Sequence, residues 1–188
     1  MGAIVGGLYA AGYTTDEMLD MILSKEFSYW STGTIDPAYI YYYAKEEPTP
    51  HMVKLNLSLR DSTGTSGILP TSLINPLPMN FAFMDLFARY SAQCGGDFDR
   101  LFVPFRCVAS DVYHKHKVVM RSGSLGDAIR ASMSFPMVFE PIEIDSVLMY
   151  DGGIYDNFPV DVMRSDFAPD IMIGVDVSAP DTLSLIHI

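Results

Sequence analysis

The chain has 188 residues, a formal net charge of −11, 49% hydrophobic residues and 19% charged ones. That composition excludes a disordered tract, because there is ample apolar surface to offset chain entropy. The negative charge, with no local Lys/Arg cluster against it, argues against nucleic acid as a partner and disfavours anionic membrane surfaces. The length fits one substantial domain. The two cysteines, Cys94 and Cys107, have neither metal-site spacing nor a framework of partners, so the redox compartment stays undecided. No apolar run approaches the roughly 18 residues needed to span a bilayer.

In chain order, Met1 to Gly12 is predicted as a helix made small-sided by Gly2, Ala3, Gly6, Gly7, Ala10 and Ala11, which suits close packing on a sheet. Thr14 and Glu17 have capping-box spacing ahead of an apolar run, so a second short helix follows. Trp30 to Pro50 is aromatic and irregular and reads as a loop or cap segment. Val53, Leu55, Leu57 and Leu59 alternate with polar residues, which predicts a strand with one polar face. Asp61 to Gly67 is turn-rich. Between Leu73 and Ala92 the helical spacing is interrupted by Pro76 and Pro78, so the helix is expected to start near Asn80 and to end before Gly95.

The second half alternates strand and helix. Phe102 to Ala109 and Lys117 to Met120 read as strands, and Ser124 to Ser134 as a helix capped by Ser124. Ile142 to Tyr150 reads as a hairpin turning at Asp145-Ser146, and Ile171 to Val177 as a continuous apolar strand buried on both faces. Such alternation implies an α/β layer architecture.

Chemistry concentrates in the run Ile129-Arg130-Ala131-Ser132-Met133-Ser134-Phe135-Pro136, followed by Tyr150-Asp151-Gly152-Gly153-Ile154-Tyr155-Asp156-Asn157-Phe158-Pro159. A carboxylate at the end of an apolar strand, followed by two glycines, sits on a tight turn where the backbone can approach a second loop. There it can serve as a base, although taken alone the pattern is more often an ordinary turn. The two segments together resemble the patatin-like phospholipase family, with its Ala-Ser-x-x-x-Pro segment and its Asp-Gly-Gly motif. Phe105 to Asp111 and Ile173 to Ser178 resemble the neighbouring strands of that family, so the likeness covers nearly the whole chain.

The resemblance implies a three-layer α/β/α fold around a central, mostly parallel sheet, here incomplete at its N-terminal strand. It also implies lipid acyl ester hydrolysis of phospholipase A or lysophospholipase type by a Ser–Asp dyad, with no cofactor, no metal and no histidine. Asp151 is then the catalytic base. The site is shaped by Gly152, Gly153, Ser132, Pro136, Asn157, Pro159 and the opening residues Met1 and Gly2. Met1-Gly2 match the last two positions of the family's Gly-x-Ser-x-Gly elbow, which puts the serine immediately before Met1 and makes the 188-residue chain an expected inactive part of an active parent. Residues 1–182 are expected to form a partial domain, and 183–188, which depart from the family pattern, a non-native tail. The expected partners are a lipid or phospholipid ester and, transiently, a membrane surface. The compartment, bacterial cytoplasmic or exported, is not fixed. A non-catalytic lipid- or protein-binding domain on the same fold is the alternative.

Other features rank below these. Gly64-Thr65-Ser66-Gly67 and Gly123-Ser124-Leu125-Gly126 each miss elbow spacing by one residue. Ser132 and Ser134 sit at a predicted helix end and read as lining or underlying the site. His114 and His116 lack a third metal ligand and read as an exposed hairpin. Gly2 to Gly7 lacks the order of a dinucleotide loop. The stripe Phe81, Phe83 and Phe87 and the triplet Tyr41 to Tyr43 read as core or cap packing.

Overall fold

The computed structural model describes residues 2–39 and 73–175. The predicted strand at Val53 to Leu59, the turn at Asp61 to Gly67, the tyrosine triplet, the serine at 66 and the expected tail at 183–188 lie outside the described residues.

Helix α1 (Gly2–Ala11) ends where the N–H of Tyr13 donates to the carbonyl of Leu8 at 3.0 Å, with Gly12 at φ 98°. This is the left-handed closure that glycine permits. The small residues of α1 serve a different neighbour from the sheet anticipated above. A side chain on Gly7 would collide with Ile129, and one on Gly6 would stand 3.0 Å from the Phe105 ring. Close approach is therefore to a helix and a pre-strand aromatic.

Helix α2 (Thr15–Leu23) carries the expected capping box: the Thr14 N–H donates to Glu17 Oε2 at 2.8 Å, and the Glu17 N–H to Thr14 Oγ1 at 3.3 Å. The region read as irregular from Trp30 onward instead begins inside α3 (Lys25–Thr32). Ser24 hides this helix, because it closes α2 and also caps α3, its hydroxyl accepting from the Phe27 N–H at 3.1 Å. Gly33 ends α3 in the left-handed region, and a short 3₁₀ turn follows at Pro37–Tyr39.

Helix α4 (Leu77–Cys94) starts three residues earlier than expected. Pro78 falls in its first turn, where the missing N–H has no intrahelical partner to lose, so proline is tolerated instead of delaying the helix. Gly95 closes it at φ 64°. Of the phenylalanine stripe, Phe83 and Phe87 are buried and Phe81 is exposed. The principal core joins Ile4 and Leu8 of α1, Met18 of α2, Phe83 and Phe87 of α4, the aromatics Phe98 and Phe105, and Leu125 and Ile129 of the next helix.

Strand β1 (Cys107–Asp111) begins five residues later than the predicted Phe102 and runs two residues further. Pro104 lacks a ladder donor, and the backbone before β1 is engaged elsewhere: the Val103 N–H donates to Ala10 and the Phe105 N–H to Phe98. Strand β2 (His116–Met120) returns antiparallel, and helix α5 (Leu125–Ala131) follows with Ser124 as its cap. It is shorter than predicted, because Met133 and Ser134 donate three residues back, to Arg130 and Ala131, and tighten the chain out of the helix.

Strands β3 (Ile142–Ile144) and β4 (Val147–Asp151) form the expected hairpin. Asp145 and Ser146 both adopt positive φ, 52° and 64°, as a two-residue turn requires. Helix α6 (Val160–Phe167) closes the described segment of secondary structure.

The described strands run in the order β2-β1-β4-β3, and all three pairings are antiparallel. This corrects the mostly parallel sheet for the described residues, since both hairpins join sequential strands directly and β4 pairs antiparallel with β1. The α/β composition stands: six α-helices and four strands are described. The buried strand expected from Ile171 is a second correction. Through Val175 the chain is not a strand, and Ile171 and Ile173 are 81% and 87% exposed. Among the described residues no strand lies beside them to take their backbone groups. Apolar composition without a ladder partner does not make a strand.

Candidate active site

Asp151 is the last residue of β4 and half-buried. Its position is set from two sides. Its register partner on β1 is Ala109, and its own N–H donates to the carbonyl of Ser134 at 3.0 Å. The first contact fixes Asp151 against the sheet, and the second ties it to the turn after α5.

The two glycines then have separate jobs. Gly152 is buried against Val108, whose carbonyl oxygen occupies the place a Cβ would need. The Gly153 N–H donates to Asp151 Oδ1 at 2.7 Å, so the carboxylate caps the 3₁₀ turn Gly152–Ile154 that follows it. A side chain on Gly153 would stand 2.9 Å from Asn157 Oδ1, which puts Asn157 over the same turn. Among the described residues Asp151 Oδ2 accepts no hydrogen bond. One carboxylate oxygen is thus used for orientation.

The loop beyond is fastened by Lys117 of β2. Its ammonium donates to Asp156 Oδ2 at 2.7 Å and also binds Asp161 Oδ2. The hydrogen bond to Asp156, then that to Asp161, raises the Lys117 pKa, and the same lysine lowers that of Asp161. Pro159 precedes α6 and lines a shallow apolar groove of about 360 Å³ with Phe158, Met163 and Ile173. A larger cleft of about 660 Å³ lies between β2 and the β3–β4 hairpin, and Asp151 is not among its walls.

Ser132 ends α5, its N–H donating to Ala128, and Pro136 lies in the turn beyond. The residue of this segment that reaches Asp151 is Ser134, fully buried. The structure thus brings together Asp151, Gly152, Gly153, Asn157 and the segment containing Ser132 and Pro136. Gly2 is exposed at the start of α1, with nothing beyond its own helix within 4 Å of where its Cβ would be, and Met1 is outside the described residues. Ser124 caps α5, accepting from the Asp127 N–H at 3.3 Å.

Two residues were not singled out by sequence reasoning, Arg130 and Lys117. The signal for Arg130 is a lone arginine in the otherwise apolar stretch Ala128 to Ala131. It is 2% exposed. Lys117 carried none, since an alternating strand admits a lysine without special cause.

Elsewhere, His114 and His116 occupy the β1–β2 hairpin. His114 Nδ1 lies 2.6 Å from Asp111 Oδ2, and its N–H donates to Asp111 Oδ1 at 2.9 Å. These bonds, the backbone one first, hold the Asp111 carboxyl below its ordinary range. No group of three or more metal-ligating side chains occurs among the described residues. Burial pushes the Cys107 thiol up to about 12, which disfavours the reactive thiolate.

Residues 1–164 match the family model of the patatin-like phospholipases. An uncharacterised NTE family protein of Mycobacterium tuberculosis is 31% identical over 160 residues, covering 85% of this chain and 34% of that protein. A patatin-like phospholipase domain-containing protein of Caenorhabditis elegans is 27% identical over 98% of this chain and 11% of its own length. The lysophospholipase NTE1 of Cryptococcus neoformans is 30% identical over 50% of this chain and 6% of its own length. The chain thus spans about a third of that mycobacterial protein's length, and far less of the other two.

Proposed function

The chain belongs to the patatin-like phospholipase family, and on that premise we propose that it carries the base half of a Ser–Asp dyad for hydrolysis of lipid acyl esters. The observation that supports this most is the state of Asp151. One oxygen is held by the Gly153 N–H and the other accepts nothing among the described residues, on a turn fixed to β1 and to Ser134.

A serine hydroxyl is a weak nucleophile until a base takes its proton. In the proposed reaction Asp151 Oδ2 accepts the serine proton as Oγ bonds to the ester carbonyl carbon. Collapse of the tetrahedral adduct breaks the bond to the leaving alcohol, which takes the proton from Asp151. Water, deprotonated in turn by Asp151, then bonds to the acyl carbon, the bond from the acyl carbon to the serine Oγ breaks, and the proton on Asp151 returns to Oγ as the fatty acid leaves. The serine is proposed to be that of the family's Gly-x-Ser-x-Gly elbow, whose last two positions Met1-Gly2 match. Phospholipase A and lysophospholipase substrates fit this chemistry, and the lysophospholipase among the relatives supports that class. With a net charge of −11, contact with lipid would rest on exposed apolar side chains such as Phe158 and Ile173.

The test is hydrolysis of short p-nitrophenyl esters. A form carrying the upstream serine elbow should show turnover that falls by orders of magnitude, roughly a thousandfold or more, in Asp151→Ala. In that form single substitution of His51, His114, His116 or His187 should leave most of the activity. A collapse with any one histidine would point to a Ser–His arrangement. Lipid retention without turnover, indifferent to Asp151→Asn, would favour the binding domain.

A further inference from the structure

Arg130 is a charged side chain with almost no exposure, and no carboxylate forms an ion pair with it among the described residues. Its guanidinium spends its donors on three neutral acceptors from three parts of the chain. Nε donates to Asn80 Oδ1 of α4 at 2.9 Å, Nη1 to Ser134 Oγ at 2.6 Å, and Nη2 to the carbonyl of Glu140 at 2.9 Å. Its charge sits 5.3 Å from the centre of the Phe139 ring. Burial lowers its pKa, as expected where the cation has lost water.

Keeping a cation in a core costs free energy unless its donors are satisfied, and a well-packed apolar side chain is often the more stable choice. The contacts themselves suggest what the arginine supplies. Ser134 accepts from Arg130 through its hydroxyl, and that hydroxyl donates back to the Arg130 carbonyl at 3.0 Å. The side chain of Ser134 is thus locked to the end of α5. The carbonyl of the same residue receives the N–H of Asp151. We infer that Arg130 is a positioning residue for Asp151: by fixing the Ser134 turn between α4, α5 and the segment leading to β3, it sets where the carboxylate stands. This rests on the dyad reading for its catalytic meaning, but its geometry does not.

The alternative is that Arg130 merely ties the core together. The two differ in where the effect of removing it appears. Amide exchange of the 188-residue chain, followed by NMR, should show protection of the Asp151 N–H falling about tenfold or more in Arg130→Met, while the amides of the β1–β2 ladder change little. Arg130→Lys, which keeps the charge but not the fork of donors, should recover only part of it. Where Arg130→Met does not fold, Ser134→Ala decides the matter, since it removes the relay and leaves the arginine in place. Uniform loss of protection across β1, β2 and β4, or none at Asp151, would overturn the inference. In an elbow-bearing form, Arg130→Met should lower kcat about tenfold or more with KM within about twofold, and a change in KM alone would count against it. Failure of the dyad reading is read separately, from activity that survives Asp151→Ala.

Discussion

Gly152 lies so close beneath the carbonyl oxygen of Val108 that a Cβ at that position would overlap it. The oxygen belongs to backbone and a Cβ is held rigidly on its own backbone, so neither can swing aside as the end of a flexible side chain would. Gly152→Ala should therefore part β4 from β1 at the residue next to Asp151, at a cost of about 1–3 kcal/mol. Gly2→Ala is the contrasting case, because nothing beyond its own helix lies within 4 Å of where its Cβ would be. It should be neutral or stabilising by up to about 1 kcal/mol. Urea denaturation of both variants measures the difference, and equal midpoints would show that the Val108 contact does not constrain the turn.

The carboxylate of Asp166 on α6 joins two arginines from different strands' ends. Oδ2 accepts from Arg106 Nε at 2.7 Å and from Arg121 Nε at 2.8 Å, while Oδ1 accepts from Arg121 Nη2 at 3.0 Å. Arg121 first, then Arg106, holds the Asp166 carboxyl far below the usual range. A depressed folded-state pKa means that the stabilisation is fully present above the unfolded value, about 3.9, and is lost as pH falls below it. Asp166→Asn should thus be less stable than the parent at pH 7, and the gap should narrow as pH falls from about 5 towards 2. A gap independent of pH would mean that the bridge contributes through packing alone.

The sequence reveals best what is decided within a few residues. Thr14 and Glu17 cap each other, Ser124 caps α5, and Asp145-Ser146 turn the hairpin because each motif carries its own hydrogen bonds or backbone demand. Boundaries fail where a residue has two uses: Ser24 ends one helix and starts another, and Pro78 opens a helix that it was taken to delay. Strand direction and burial are harder still, since they depend on which partner lies alongside. The run from Ile171 illustrates this, being apolar enough for a core yet exposed through Val175. At the site, Asp-Gly-Gly was legible as a turn with a carboxylate. The bond from Asp151 to Ser134 joins residues 17 apart and has no local signature.

Lys117 binds Asp156 and Asp161 from β2, and so straps the loop after the two glycines to the sheet. Lys117→Met keeps the length of the side chain and removes only the charge. Limited proteolysis should then cut between Gly153 and Pro159 several-fold faster, with cleavage elsewhere unchanged. High salt should accelerate cleavage of the parent at the same place, since the pair with Asp161 is partly exposed. Identical cleavage of parent and variant would assign the order of this loop to Gly152 and Asn157 alone.

Phe158, Ile171, Ile173 and Val175 expose 52%, 81%, 87% and 76% of their surfaces within a short stretch of chain around the groove that Pro159 helps to line. Contiguous apolar exposure favours association, because burying it between two molecules releases it from water. The net charge of −11 opposes this, since two copies repel at close range. Added salt shortens the reach of the repulsion, to about 8 Å at physiological ionic strength, and leaves the hydrophobic gain in place. Association should therefore strengthen with salt, the reverse of an interface made by ion pairs. Sedimentation velocity at about 10 and 100 μM protein, in about 20 and 300 mM NaCl, resolves the two signs. Ile173→Lys puts a charge in the middle of the patch and should restore a monomer at the higher concentration and salt. A parent that stays monomeric under all four conditions, or an Ile173→Lys variant that associates as strongly, would show that this patch does not drive contact between molecules.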